Sequence, residues 1–284
     1  MRAAAILGLG VSQRRLIPFQ KNSNASWHLG MPASSSDADV ILIFGGDGTI
    51  HRHLAQFVEL RLPVLIVPCG SGNDFAGALG LRRVSDSLAA WRKFTSGGNN
   101  IQRVDLGLIT WPNMKATRYF CCVAGIGLDS MVARAANSLP RWLRAHGGYA
   151  FSLPRALLHF AAIRTRITPL DSSPRADMDG IMLAAFANTS TYGHGMKIAP
   201  HALFDDGQLD ICIIHQMNKA KLLALFPTIY FGRHLSVSGV SYSRVASVNL
   251  ETQTPCDVYA DGEYVCQTPV EVSIEPRALT VITP

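Results

Sequence analysis

The chain has little charge and no long apolar stretch. Only 16% of its 284 residues are Asp, Glu, Lys or Arg, well under the usual quarter, so a heavily charged surface is excluded. No eighteen consecutive apolar residues occur, so no spanning helix is expected. The apolar start, Met1 to Leu7, is too brief to span and no cleavage site follows it, so the expected address is the cytoplasm. No Cys-x-x-Cys pair occurs among Cys69, Cys121, Cys122, Cys212, Cys256 and Cys266, which argues against a disulfide framework or a zinc site. Cys121 and Cys122, being adjacent, are expected on opposite faces of a strand. The histidines, His51, His53, His194, His201 and His215 among them, show no metal-ligand spacing and receive no role. No internal repeat stands out.

Hydrophobic residues, at 48%, suffice for a sizeable core, and the net charge of +6 favours anionic partners without choosing among them. Strand-like runs at 3–7, 40–44 and 64–67 alternate with helix-like stretches at 50–60, 74–79 and 84–94, the pattern of a parallel sheet wrapped by helices. Residues 11–39 are polar and carry no clear element. From about residue 103 several strand-like runs appear: 119–124, 181–188, 208–214, 247–250, 257–260, 270–274 and 279–282. Helical insertions are expected at 128–137, 149–163 and 219–230. The fold class is therefore α/β followed by β. A doubly wound α/β nucleotide-binding domain (1–102) precedes a mainly antiparallel β-sandwich-like domain with helical insertions (103–274), and 275–284 is a candidate to rejoin the first.

Two glycine loops end successive buried strands and lead into helices. In Gly45-Gly46-Asp47-Gly48-Thr49 the glycines let backbone approach a phosphate, and the helix start favours an anion. Thr49 is a candidate helix cap or phosphate ligand. Asp47 would be repelled by bare phosphate, so it is expected to help hold Mg²⁺, directly or through water. The plain alternative is a tight turn with Asp47 exposed. The second loop, Gly70-Ser71-Gly72-Asn73-Asp74-Phe75-Ala76, repeats this logic, although Asn73 or Asp74 could simply cap its helix. Tyr259 to Val265, with Asp261-Gly262 at its centre, reads as a β-hairpin. The segment between Asp129 and Asp171 has no acidic residue. It carries Arg134, Arg141, Arg144, Arg155, Arg164 and Arg166 among Trp142, Tyr149, Phe151 and Phe160. Such a surface suits anionic headgroups, nucleic acid, or a solvated helix face.

These two loops together resemble the catalytic domain of diacylglycerol kinases and of the related bacterial lipid kinases and sphingosine kinases. Val104-Asp105-Leu106-Gly107, Ala124-Gly125-Ile126-Gly127-Leu128-Asp129, Ile198-Ala199-Pro200, Asp205-Asp206-Gly207-Gln208-Leu209-Asp210 and Asp261-Gly262-Glu263 extend the similarity over about residues 38 to 284. The resemblance implies an ATP-dependent lipid kinase of phospholipid metabolism, acting most readily on diacylglycerol, with its site between the two domains. Asp261 is then the general base, with Glu263 as second candidate, and Asp47, Asp74 and Asp105 match active-site aspartates. Gly45, Gly46, Asp47, Gly48, Thr49, Gly70, Ser71, Gly72 and Asn73 would bind the nucleotide. Asp206, with the carbonyls of Leu203 and Gln208, would hold a structural metal, and Mg²⁺ would accompany ATP. The implied partners are ATP, a lipid alcohol and the anionic inner face of the membrane, touched peripherally. No nucleic acid is expected, and a homodimer is a candidate assembly. The family pattern is altered at Leu7 to Ser12, at Ile50-His51-Arg52-His53 and at Gly77. A non-catalytic nucleotide- or lipid-binding regulator, or a soluble kinase resembling the NAD kinases, are the alternatives.

Overall fold

The computed structural model describes residues 1–111, 116–137, 156–157, 160–170 and 176–284. The chain divides into two compact units, Met1–Asp105 with Pro276–Pro284, and Leu106–Glu275. The described elements run β1 (Arg2–Leu7), α1 (Ile17–Lys21), β2 (Ser26–Leu29), β3 (Val40–Gly45), α2 (Asp47–Leu60), β4 (Val64–Pro68), α3 (Asp74–Ala78), α4 (Val84–Thr95), β5 (Ile101–Trp111), β6 (Ala116–Phe120), β7 (Val123–Gly127) and α5 (Leu128–Asn137). There follow β8 (Ile163–Pro169), β9 (Ala176–Ala187), β10 (Leu209–His215), α6 (Lys219–Ile229), β11 (Val240–Val245), β12 (Ser247–Thr252), β13 (Asp257–Ala260), β14 (Glu263–Gln267) and β15 (Val270–Ile282).

The first unit is a parallel sheet in the order β2-β1-β3-β4-β15. Every residue of β3 is buried, as expected of a parallel strand covered by helices on both faces. That explains its unbroken apolar run. The polar stretch 11–39 supplies α1 and an edge strand, β2, paired in parallel with β1. Helix α4 is anchored by polar contacts as well as by packing. Ser87 Oγ donates to the Ile66 carbonyl at 2.7 Å, and Trp91 Nε1 donates to that of Phe19 at 3.0 Å.

The second unit is an antiparallel β-sandwich. The long β9 pairs with β8 through its first half and with β7 and β10 through its second. A hairpin, β13–β14, adds to the free edge of β7. Its core joins Phe120, Phe186, Ile211, Leu250, Val258 and Val272, all buried.

Several expectations need correction. The runs 270–274 and 279–282 are one strand, β15. Its first part pairs with β12 and its end with β4, and the break between the runs is Arg277, whose φ of 54° leaves the extended region without ending the strand. The run 119–124 is broken by a bend at Cys121-Cys122. The helix expected over 149–163 has helical residues described only at Ala156 and Leu157. Residues 160–162 carry no regular structure and Ile163 opens β8, because the β-branched residues of 163–168 find a ladder with β9 and β12. Of the basic segment, Arg141, Trp142, Arg144, Tyr149, Phe151 and Arg155 lie outside the described residues.

The buried Asn100 fastens the end of β15 into the first unit. Its Nδ2 donates to the carbonyls of Ala90 (3.0 Å) and Thr283 (2.7 Å). Asn100→Ala should lower stability by about 1–3 kcal/mol, the cost of stranding buried acceptors, read as a fall in the urea midpoint with an unchanged slope.

Candidate functional site

The two glycine loops touch through bare backbone. The Cys69 amide donates to the Gly45 carbonyl at 2.9 Å, and the Asp47 amide donates to that of Gly72 at 3.1 Å. A Cβ on Gly46 would stand 2.3 Å from the Gly72 oxygen, and one on Gly70 would stand 2.4 Å from the Gly46 Cα. These glycines are needed first so that the loops can meet. Thr49 does not cap α2. The N-cap is Gly46, and the Thr49 side chain lies where a Cβ on Gly8 or Gly45 would fall.

Asp47, in the first turn of α2, is half-buried. Its two carboxylate oxygens accept the amides of Asp74 (2.9 Å) and Phe75 (3.1 Å). It therefore caps α3 from across the loop pair. Asn73 stands at the N-cap of α3 without a side-chain capping bond, and its side chain bonds instead to the Gly70 amide and carbonyl. Gly48, Ser71 and Asp74 lie at the same loop pair, with Ser71 exposed.

In the second unit, Asp261 and Gly262 form the tip of the β13–β14 hairpin. Both have positive φ, 51° and 81°, as a tight two-residue hairpin turn requires. The Asp261 carboxylate repeats the geometry of Asp47. It accepts the amides of Cys121 (2.9 Å) and Cys122 (2.8 Å), one on each oxygen, while its own amide donates to the Val123 carbonyl at 3.0 Å. The bend at Cys121-Cys122 turns both amides to one side, so these residues do not alternate across a strand as expected. Glu263 opens β14, half-buried, opposite Ala260.

Asp105 is buried, and its Oδ1 accepts the amide of Arg277 at 2.7 Å, serving the irregular point of β15. Asp206 accepts the Gln208 amide at 3.1 Å on one oxygen, and the Arg244 guanidinium on the other. Arg244 Nε also stands 3.8 Å from the buried Asp210. A guanidinium thus already supplies positive charge to this turn. A metal ion held by Asp206 with the Leu203 and Gln208 carbonyls would share that carboxylate with Arg244.

One feature of the second unit was invisible at the sequence level beyond its motif. Asp129, in the first turn of α5, is buried and accepts the Tyr192 hydroxyl at 2.6 Å. Burial pushes its carboxyl up to about 6 against the opposing pull of that hydrogen bond. The pair lines an otherwise apolar pocket, open to solvent, with Leu128, Val132, Met196, Leu222, Phe226 and Ile229. A glycine-rich strand running into a helix was the only sequence signal for it, since Tyr192 and α6 arrive from far along the chain.

Two outcomes test this geometry. Asp47→Ala should uncap α3 and cost about 1–2 kcal/mol, whereas Asp47→Asn, which keeps one good acceptor, should lose less; chemical denaturation of both variants decides. Asp129 holds its proton in the native state at pH values where the unfolded chain has lost it. Its stabilising contribution is therefore full below about pH 4 and disappears as pH rises through about 6. Asp129→Asn should gain on the order of 3 kcal/mol over the parent at pH 8 and nothing at low pH, measured as the pH dependence of the difference between their unfolding free energies.

Residues 18–109 match the family model described as the diacylglycerol kinase catalytic domain. Residues 122–283 match that of the YegS C-terminal NAD kinase beta sandwich-like domain. A diacylglycerol kinase of Mycobacterium tuberculosis (strain H37Rv) is 35% identical over 257 residues, which cover 90% of this chain and 81% of that protein. Among solved structures, a diacylglycerol kinase from Bacillus anthracis superposes with a TM-score of 0.70 at 17% identity, covering 100% of this chain and 97% of that one. An NAD kinase from Archaeoglobus fulgidus in complex with ATP reaches 0.54 at 15% identity, covering 100% and 94%. Both of these likenesses speak for the fold alone. The second-domain match spans more than half of the chain and the mycobacterial relative nearly all of it, so the chain belongs to the diacylglycerol kinase family of lipid kinases.

Proposed function

We propose that the chain transfers the γ-phosphoryl group of ATP to the hydroxyl of a membrane lipid, with diacylglycerol as the leading substrate. The observation that carries this reading is the route along β7. At its start β7 braces the Asp261 hairpin, and at its end it turns into α5, whose Asp129 lines the apolar pocket. A carboxylate held by two amides and an apolar pocket suited to a hydrocarbon chain therefore lie at the two ends of one strand. The Asp129–Tyr192 pair is the pocket's polar element and would meet the oxygen-bearing end of the lipid.

The nucleotide's phosphates would lie at the loop pair of the first unit, where the exposed backbone of Gly70 and Ser71 and the starts of α2 and α3 favour anions. Mg²⁺ would balance the phosphate charge. Asp47, whose carboxylate accepts the amides of α3, and Asp74 are the carboxylates of the loop pair that would hold that ion, directly or through water. The lipid hydroxyl attacks the γ-phosphorus, a new oxygen–phosphorus bond forms, and the bond to ADP breaks. The hydroxyl proton passes to Asp261, whose two amide bonds fix the carboxylate without neutralising it.

No helix among the described residues is long and apolar enough to cross a membrane. Contact with the lipid surface is assigned to the outer side of α6 and the turn after it. There Leu223 and Phe231 are exposed beside Lys219, Lys221 and Arg233, a pairing suited to an anionic interface.

The deciding assay offers labelled ATP and Mg²⁺ with diacylglycerol, a sphingoid base or NAD, on vesicles made with and without anionic lipid. Phosphorylated diacylglycerol, faster on anionic vesicles, is expected. Asp261→Asn should lower kcat by about 10²- to 10⁴-fold with ATP affinity retained. Phosphorylated NAD, or lipid turnover undiminished in that variant, would sink the reading.

A further inference from the structure

We infer that Cys121, Cys122 and Asp261 form a binding site for a thiophilic divalent cation such as Zn²⁺ or Cd²⁺, and that its occupation switches the kinase off. One ligand atom from each residue, two sulfurs and a carboxylate oxygen, lies within 4.8 Å of the others. Cys121 Sγ is 3.4 Å from Asp261 Oδ2, so replacing the thiol protons with one metal ion requires only a small contraction.

The backbone that presents the two thiols is held on every side. Both amides donate to Asp261. The Cys121 carbonyl accepts Asn188 Nδ2 at 3.0 Å, and the Cys122 carbonyl accepts the amides of Asn188 (2.8 Å) and Thr189 (3.3 Å). The bend cannot easily swing either cysteine away, which is what a preformed metal site needs. Two thiolates and one carboxylate suit a soft, tetrahedral d¹⁰ ion with one position left for water. They suit Mg²⁺ poorly, since it demands six hard oxygen ligands. The expectation of no zinc site rested on the missing Cys-x-x-Cys spacing, but here the third ligand comes from the hairpin tip, 139 residues further along the chain from Cys122.

Binding releases about two protons, one from each thiol, so affinity rises with pH. Inhibition follows because an oxygen of Asp261 that ligates the cation is no longer available to a substrate proton. That consequence rests on the role proposed for Asp261 above; the binding itself does not.

The experiment uses the full chain, in excess Mg²⁺, titrated with Zn²⁺ or Cd²⁺. One ion per chain is expected, with a cadmium–thiolate absorption band that Cys121→Ser/Cys122→Ser abolishes while the other four cysteines remain. Turnover should fall about a hundredfold, as for loss of a general base, and return on chelation. The residual activity of the double variant should not respond to Zn²⁺. If that variant does not fold, X-ray absorption on the zinc-loaded parent decides instead, with two sulfur neighbours at about 2.3 Å expected. A band that persists in the folded double variant, or fewer than two sulfurs around zinc, overturns the site. Zinc seated on two sulfurs with full turnover overturns the inhibition and counts against Asp261 as the base. No metal binding, with Asp261→Asn still inactive, refutes the metal site while sparing the base.

Discussion

A carboxylate that receives two consecutive backbone amides is fixed in rotamer and direction, and it fixes the chain that supplies them. This chain uses that arrangement twice. Asp47 holds the start of α3, and Asp261 holds the bend between β6 and β7. Asp105 does a related service for Arg277. In each case the two sides are distant in sequence, so the acidic residue sets which pieces of chain meet. The aspartates that resemble active-site groups are therefore also clamps. A substitution that removes one alters backbone as well as charge, and measurements of turnover alone would confuse the two.

The glycines around Asp47 follow from the same constraint. For its carboxylate to reach the α3 amides, the β3 and β4 loops must lie backbone to backbone, and any side chain on Gly46 or Gly70 would prevent this. Closeness to phosphate and closeness between loops make the same demand for missing Cβ atoms. The glycine pattern is thus a packing requirement in its own right.

Asp129 shows the opposite economy. Its carboxyl is set among apolar groups and relieved by one phenol, an arrangement that costs stability at neutral pH. A core position with only a structural role would be better served by an apolar residue.

The parallel sheet, its strand-to-helix glycine loops and the Asp261-Gly262 hairpin were legible because each is local: an apolar run of strand length, a glycine cluster after it, a turn dipeptide between alternating residues. The family resemblance rested on the same short segments. By itself the sequence determined these elements and the residue types at their ends. Tertiary structure alone decided that Asp47 caps α3, that Arg244 occupies Asp206, that Tyr192 and α6 complete the pocket around Asp129, and that Cys121 and Cys122 share a side with Asp261. Each of these depends on two segments many residues apart arriving at hydrogen-bonding distance. No local propensity records that arrival, because it is set by strand order and by the close approach of backbones.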